Sequence, residues 1–382
     1  MAESVNGHGT SSLLPPVSIV LAWPAANYED PVTRSKTALI ISIMLGTIVL
    51  VVVTARIWAR VFIQRNVGAD DWIIIVALFP TIALTICVCL GTEHLHLNRH
   101  IWDVPSSYYV PERKITFIIY LLYFISGGLI KTSILLFYRR LDNRCITRSF
   151  RLATWINIVA IIIFMVSFSV VLLTACAPTA AFWLQFDVVK QIEKYEYTCW
   201  IDEGAYILSG SVISAVQDGV TAFLPTLLFW DLKIARRQKI ALGMIFALGY
   251  VVCAVACTRS FFIWRTFNDD LYDSTWLSWP VWVLTVVEVH LGMICASAPA
   301  LKVFCCHYFR MMGDRYGAGS RGVSELDWSV VSASASKGSQ EAIVKEADAR
   351  SMDDLEQGIV LKETTKMEST ERTEVMETFV FS

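Results

Sequence analysis

The sequence predicts an all-α membrane protein, a seven-transmembrane helix bundle with its N-terminus outside and its C-terminus cytoplasmic. Three observations carry that prediction: seven long apolar stretches between Ala38 and Phe304, arginine and lysine gathered in alternate connections, and tryptophans clustered where the stretches end. A hydrocarbon core of about 30 Å takes about 20 predominantly apolar residues of helix, and a helix satisfies its own backbone there. The composition, 55% hydrophobic and 17% charged with a formal charge of -2, fits one bundle with polar ends. It implies no nucleic-acid partner.

Residues 1–37 read as an outer tail. Its apolar run at 17–23 has no Lys or Arg upstream and is bracketed by Pro15, Pro16 and Pro24, so it is not expected to act as a cleaved signal. The spans are predicted at 38–55, 72–90, 115–137, 152–176, 206–230, 240–264 and 276–304. The links after the first, third and fifth carry Arg56, Arg60 and Arg65, then Arg139, Arg140, Arg144, Arg148 and Arg151, then Lys233, Arg236, Arg237 and Lys239. The positive-inside rule makes those links cytoplasmic. The opposite links hold Glu93, Asp103 and Glu112, then Asp187, Glu193, Glu196, Asp202 and Glu203, then Asp269, Asp270 and Asp273. Trp58, Trp72, Trp102, Trp183, Trp200, Trp230, Trp264 and Trp276 fall at the water boundary, where an aromatic belt is expected. Residues 305–382 form an acidic, Ser- and Thr-rich tail expected to be largely disordered, with Ser329, Ser332, Ser334, Ser336 and Ser339 spaced like a phosphorylation substrate, a solvated tail that only keeps the C-terminus soluble being the other reading.

Cys87, Cys89, Cys253, Cys257 and Cys295 lie within spans and read as small apolar side chains. Cys176 and Cys199 bound one outer link in an oxidising space, so a disulfide between them is expected. Cys305 and Cys306 sit at the inner boundary beside Lys302 and are lipidation candidates, a free pair being the other reading.

Ionisable groups at membrane depth are costly and call for a role. Lys131 on span three, Asp218 on span five, Arg259 on span six, and Glu288 and His290 on span seven are such groups. Asp218 and Glu288 fall at similar depth and are expected in one polar cluster, with Arg259 as the cation partner and His290 as a neighbouring acid–base group. Two readings of the cluster stay open: a pocket that binds a polar ligand or carries a proton, and a set of interhelical pairs that locks the bundle. The first outer link holds His94, His96 and His100, but the spacing is no recognised ligand pattern and Arg99 disfavours a cation, so no metal site is expected. A retinal pigment needs a lysine amine deep in the last span. The only lysine there is Lys302, at its end, so no retinal and no other cofactor is called for. The usual signatures of soluble enzymes, a G-x-S-x-G elbow, an H-E-x-x-H helix or a P-loop, are missing.

An ordered series of short patterns resembles the fungal rhodopsin-domain family of seven-span integral membrane proteins. Its members include proteins of trichothecene gene clusters and receptor-like proteins. The series runs from Arg56 and Arg60 into Gly68, Ala69, Asp70, Asp71 and Trp72, then His100, Trp102, Asp103 and Pro105, then Lys131, Ser133, Leu135, Phe137, Tyr138 and Arg139. It continues with Cys176, Pro178, Trp183 and Cys199, Asp218 and Pro225, Arg259, and finally Glu288, Gly292, Pro299 and Leu301. Asp70 and Asp71 also suit the first turn of a helix, where a carboxylate accepts from free amides. No cysteine precedes Cys87, so the cysteine-rich outer module of some receptor-like members is not expected.

The resemblance implies either a receptor-like sensor or a membrane component of a secondary-metabolite pathway, including an enzyme acting on a lipophilic intermediate; a transport component is the third reading. Sensing rests on topology, basic inner loops and the Ser-rich tail. Enzymatic work would fall to Asp218, Glu288, His290 and Lys131 as acid–base groups in an apolar pocket. The partners implied are the lipid bilayer, a lipophilic small molecule and a cytoplasmic signalling partner. The location implied is the plasma membrane or an endomembrane.

Overall fold

The computed structural model describes residues 13–140, 148–193, 195–230 and 236–316. The C-terminal tail beyond 316 lies outside the described residues, and so do the side chains of Cys305 and Cys306. Two units are distinguished, Met1–Met312 and Gly313–Ser382, and the bundle belongs to the first.

Seven long helices cover the described chain: α1 Thr37–Trp58, α2 Ala69–His94, α3 Tyr109–Arg140, α4 Arg148–Thr174, α5 Glu203–Trp230, α6 Arg236–Phe267 and α7 Ser274–Tyr316. Each is long and apolar enough to cross a membrane. Their outward faces carry Ile40, Val51, Phe79, Ile163 and Val216, with Phe79 71% exposed. Such a surface is stable against lipid and not against water. The protein is an integral, multi-pass membrane protein.

Membrane-crossing cores of α3, α5 and α7 are 56%, 56% and 67% buried, against 22% or 28% in the other four. Those three helices therefore form the centre, and the polar intramembrane groups lie mostly on them. Gly128 marks a close approach of α3 to α4, because a methyl there would meet Met165 Cβ at 2.9 Å. Small residues permit such approaches in membranes.

Several helices start or end outside the spans read from hydropathy. Helix α3 begins at Tyr109 and α5 at Glu203, so Glu112 and Glu203 stand in first turns and are buried, rather than lying in solvated links. The last helix runs on past Phe304 to Tyr316. Helix α1 passes into a π-helical turn, Ala59–Ile63, which carries Arg60. Between α4 and α5 a two-residue antiparallel ladder pairs Cys176 with Cys199, and the two are disulfide-bonded with Cα atoms 4.1 Å apart.

Six of the tryptophans expected at the water boundary divide into two groups. Trp58, Trp72, Trp200 and Trp264 are exposed, as belt residues are. Trp102 and Trp276 instead stack on the two faces of His100, at 4.6 and 3.9 Å between ring centroids. Arg34 lies over Trp276 at 3.9 Å, and the Trp23 indole donates to the Leu271 carbonyl at 2.8 Å. The segment before α1 is thereby fastened to α7 and the α6–α7 link, and the Asn27 amide ties it to the α2–α3 link by donating to Asp103 Oδ1 at 2.9 Å.

Candidate functional site

Helix periodicity brings Ser214 and Asp218 of α5 onto one face, one turn apart. On α3, Tyr123 and Lys131 are about 12 Å apart along the axis. These four meet Arg259 of α6 and Glu288 of α7 inside the bundle, all six at least nine-tenths buried. Lys131 Nζ lies 3.1 Å from Asp218 Oδ1 and donates to the Ser214 carbonyl at 2.9 Å and its Oγ at 2.8 Å. Arg259 Nε donates to Glu288 Oε2 at 2.7 Å. Tyr123 joins the two ion pairs. Its hydroxyl donates to Glu288 Oε1 at 2.6 Å, lies 2.7 Å from Ser214 Oγ and receives Arg259 Nη2 at 2.5 Å.

Asp218 and Glu288 thus sit in one network, with separate cations. Arg259 serves Glu288, and Lys131 serves Asp218. His290 is not part of it. Two residues from Glu288 on a helix is a turn of about 200°, and His290 faces α2, its Nε2 3.2 Å from Thr85 Oγ1 and its Nδ1 2.7 Å from the Val286 carbonyl.

Beside the network is a partly open cavity, lined by Lys131, Asp218 and Glu288 and walled by Ile130, Ile134, Val252 and Val289. Asp218 Oδ2 is buried and has no hydrogen-bond partner. A cavity with apolar walls and a few convergent polar groups has the form of a small-molecule site.

A second network, which the sequence reading did not find, closes the end of the bundle where α1 meets α2. Arg56 is fully buried, donating through Nε to Asp71 Oδ1 at 3.0 Å, through Nη2 to Asp70 Oδ2 at 2.7 Å, and through Nη1 to the Ala296 carbonyl. Arg60 approaches the same carboxylates at 3.6 and 3.4 Å, and Arg140 at 3.1 and 3.4 Å. Asp71 also caps α2, accepting from the Gly68 amide at 3.0 Å. At the opposite end Arg113 donates to Glu203 at 2.6 Å and lies over the rings of Phe182 and Phe186.

The histidines of the first long link do not converge. His100 Nδ1 lies 2.5 Å from Asp273 Oδ2, while His96 packs edge-on to Tyr108. Burial raises the Asp273 carboxyl above its ordinary range, against the His100 hydrogen bond that lowers it. Burial also lowers His96. Among the described residues no group of three or more His, Cys, Asp and Glu has the arrangement of a metal site.

A family model described as the fungal rhodopsin domain matches residues 55–306, which include every member of the two buried networks. Among curated proteins, the chain is 25% identical over 281 residues to the "Wortmanamides biosynthesis cluster protein C" of Talaromyces wortmannii, covering 72% of this chain and 73% of that protein. It is 26% identical over 266 residues to "Receptor GIN3" of Arthrobotrys oligospora, covering 66% of this chain and 58% of that protein. A "SAT4 family membrane protein" of Emericella nidulans is 30% identical over 105 residues, 27% of this chain and 25% of that one. No solved structure matches.

Proposed function

The chain belongs to the fungal rhodopsin domain family, and we propose that it is a receptor-like sensor binding a small lipophilic molecule in the cavity beside Asp218. One observation carries the reading: a buried carboxylate oxygen, Asp218 Oδ2, left without a donor at the wall of that cavity. An unmet buried acceptor costs about 1–3 kcal/mol, and a ligand hydroxyl or amine would remove the cost. The walls would hold an apolar body. Lys131 and Arg259 are each held by a carboxylate and His290 lies elsewhere, which leaves Asp218 as the open group of the acid–base set. This favours binding over catalysis.

Similarity to a protein named as a receptor supports sensing. Similarity to one named for a biosynthesis cluster supports a ligand drawn from secondary metabolism. The proposed orientation places the Arg56, Arg60 and Arg140 end in the cytoplasm, facing a signalling partner, in the plasma membrane or an endomembrane. Reporter fusions after Arg148 and after Glu196 should then give opposite sidedness, and equal sidedness would sink the orientation.

The binding reading is tested in the native fungus by complementing a deletion with wild-type protein or with Asp218→Asn. Expected is loss of the deletion-sensitive phenotype or metabolite with membrane abundance unchanged. Wild-type phenotype at wild-type abundance would overturn it.

A further inference from the structure

A second cavity, partly open, lies at the opposite end of the bundle, lined by Glu112, Arg113, Thr116 and Tyr120 of α3 and by Ser278 and Trp282 of α7. Ile263 and Val281 supply apolar wall, and Leu13, before α1, closes one side.

Three polar groups on residues that line this cavity are buried and unmet. Arg113, Thr116 and Trp282 are 6%, 2% and 3% exposed, and Arg113 Nε, Thr116 Oγ1 and Trp282 Nε1 have no hydrogen-bond partner. Arg113 spends Nη2 on Glu203, which leaves its Nε free for a ligand. The Glu112 carboxyl, 8% exposed, lines the same cavity. Two of the unmet groups, Arg113 Nε and Trp282 Nε1, can only donate, whereas a hydroxyl does either. Three unmet hydrogen-bonding groups and one carboxyl on a single cavity demand an occupant with matching groups, because buried polar atoms in folded proteins are almost always satisfied.

The chemistry of the occupant follows. A cation would leave the donors unmet, and an anion would face Glu112. A neutral molecule with a carbonyl oxygen and one N–H or O–H answers both, its apolar remainder lying against Tyr120, Trp282, Ile263 and Val281. We infer that this cavity is a second ligand site, selective for uncharged apolar molecules bearing a carbonyl acceptor and an adjacent donor, such as a secondary amide or a hydroxylated lactone. It is separate from the cavity beside Asp218. Tyr120 and Trp282 also wall a smaller void that reaches Tyr123 and Arg259, so the Tyr123–Arg259–Glu288 layer stands between the two. The inference does not depend on what binds beside Asp218.

The test uses the full-length protein in lipid nanodiscs and two photoreactive probes, a secondary alkyl amide carrying an alkyl diazirine and the same chain and diazirine with the amide replaced by methylenes. Adducts are mapped by mass spectrometry. The amide probe should label residues 112–120 and 274–282 at least about tenfold more than the hydrocarbon probe, since a site built to hydrogen-bond a ligand rejects the analogue lacking those groups. Both probes should label lipid-facing Phe79 and Val216 equally. Thr116→Val and Trp282→Phe remove one hydrogen-bonding group each, and each should cut cavity labelling severalfold with Phe79 and Val216 labelling unchanged. Equal labelling of the cavity by the two probes on wild-type protein, the result if water alone fills it, overturns the inference. So does undiminished amide labelling in both variants.

Discussion

Replacing Glu288 by Gln tests whether the central network is two coupled ion pairs or a loose set of polar groups. In the wild type, Arg259 Nε lies 2.7 Å from Glu288 Oε2 and the Tyr123 hydroxyl donates to Oε1 at 2.6 Å, all three residues buried. Glu288→Gln keeps the shape, removes the charge and leaves Arg259 without a counter-ion, a change that typically costs about 3–5 kcal/mol. Asp218→Asn should cost less, about 1–2 kcal/mol, because Lys131 keeps two Ser214 acceptors and one Asp218 oxygen is unmet to begin with. Removing both charges of the first pair, Arg259→Gln with Glu288→Gln, should cost less than the sum of the singles by about 2 kcal/mol, within the coupling expected of a direct pair. The assay is reversible denaturation of the purified protein in mixed micelles for wild type, both singles and the double. Additivity of the singles within about 0.5 kcal/mol would refute the pairing.

Further outcomes follow from the geometry. Gly128→Ala should destabilise by about 1–3 kcal/mol, since its methyl meets Met165, whereas Gly127→Ala, with nothing within 4 Å, should leave thermal stability intact and reduce binding in the cavity it lines. Reduction of the Cys176–Cys199 disulfide, or Cys176→Ser, should cost about 3 kcal/mol in the loop-entropy account for a sequence separation of 23, and peptide mapping of untreated protein should find the bond oxidised. Arg56→Gln should lower membrane abundance sharply and Arg140→Gln only slightly, because the Arg56 side chain is 1% exposed and fills both carboxylates while that of Arg140 is 24% exposed. Equal losses would contradict this ordering. Burial raises the Asp273 carboxyl, so the folded protein holds that proton more tightly than the unfolded chain does. Its contribution is full below the ordinary carboxyl range and is lost as pH rises through the raised value; Asp273→Asn should flatten that part of a stability-against-pH curve.

The seven helices are legible in the sequence because lipid imposes one rule on every residue of a span, that its side chain be apolar and its backbone internally bonded. Pair partners are not legible in that way. Asp70 and Asp71 read correctly as first-turn residues, and Asp71 does accept from the Gly68 amide, yet their ties to Arg56, Arg60 and Arg140 depend on how α1, α2 and α3 pack. Tyr123 is one of 13 tyrosines and sits in an apolar run with nothing local to single it out. His290 is the opposite case. Its position two residues after Glu288 already places it on another face of α7, so depth alone grouped it with the cluster and periodicity would have removed it. Trp102 and Trp276 match the belt in sequence position, but residues 23–36 and His100 cover them, a long-range contact that hydropathy does not encode.

The polar groups fall in three layers, and α3 enters each of them: Arg113 with Glu203, Tyr123 and Lys131 with Glu288 and Asp218, and Arg140 with Asp70 and Asp71. A single helix that holds a charge-bearing side chain in every layer is mechanically suited to couple them, because a shift of α3 changes ion-pair geometry in all three. Coupling in the physical sense needs an element with two arrangements that both ends bias. The end layer supplies the asymmetry such an element requires. Three guanidiniums share two carboxylates there, and the side chain of Arg140, at 24% exposure against 1% and 8% for those of Arg56 and Arg60, is the one most open to water. Arg140 also donates to Asn66 in the α1–α2 link, through its carbonyl at 2.5 Å and through its side-chain oxygen. Its release would therefore free a surface segment while Arg56 and Arg60 keep the carboxylates neutralised. A ligand donor taken up by Asp218 Oδ2 would weaken the pull of that carboxylate on Lys131, on the same helix as Arg140.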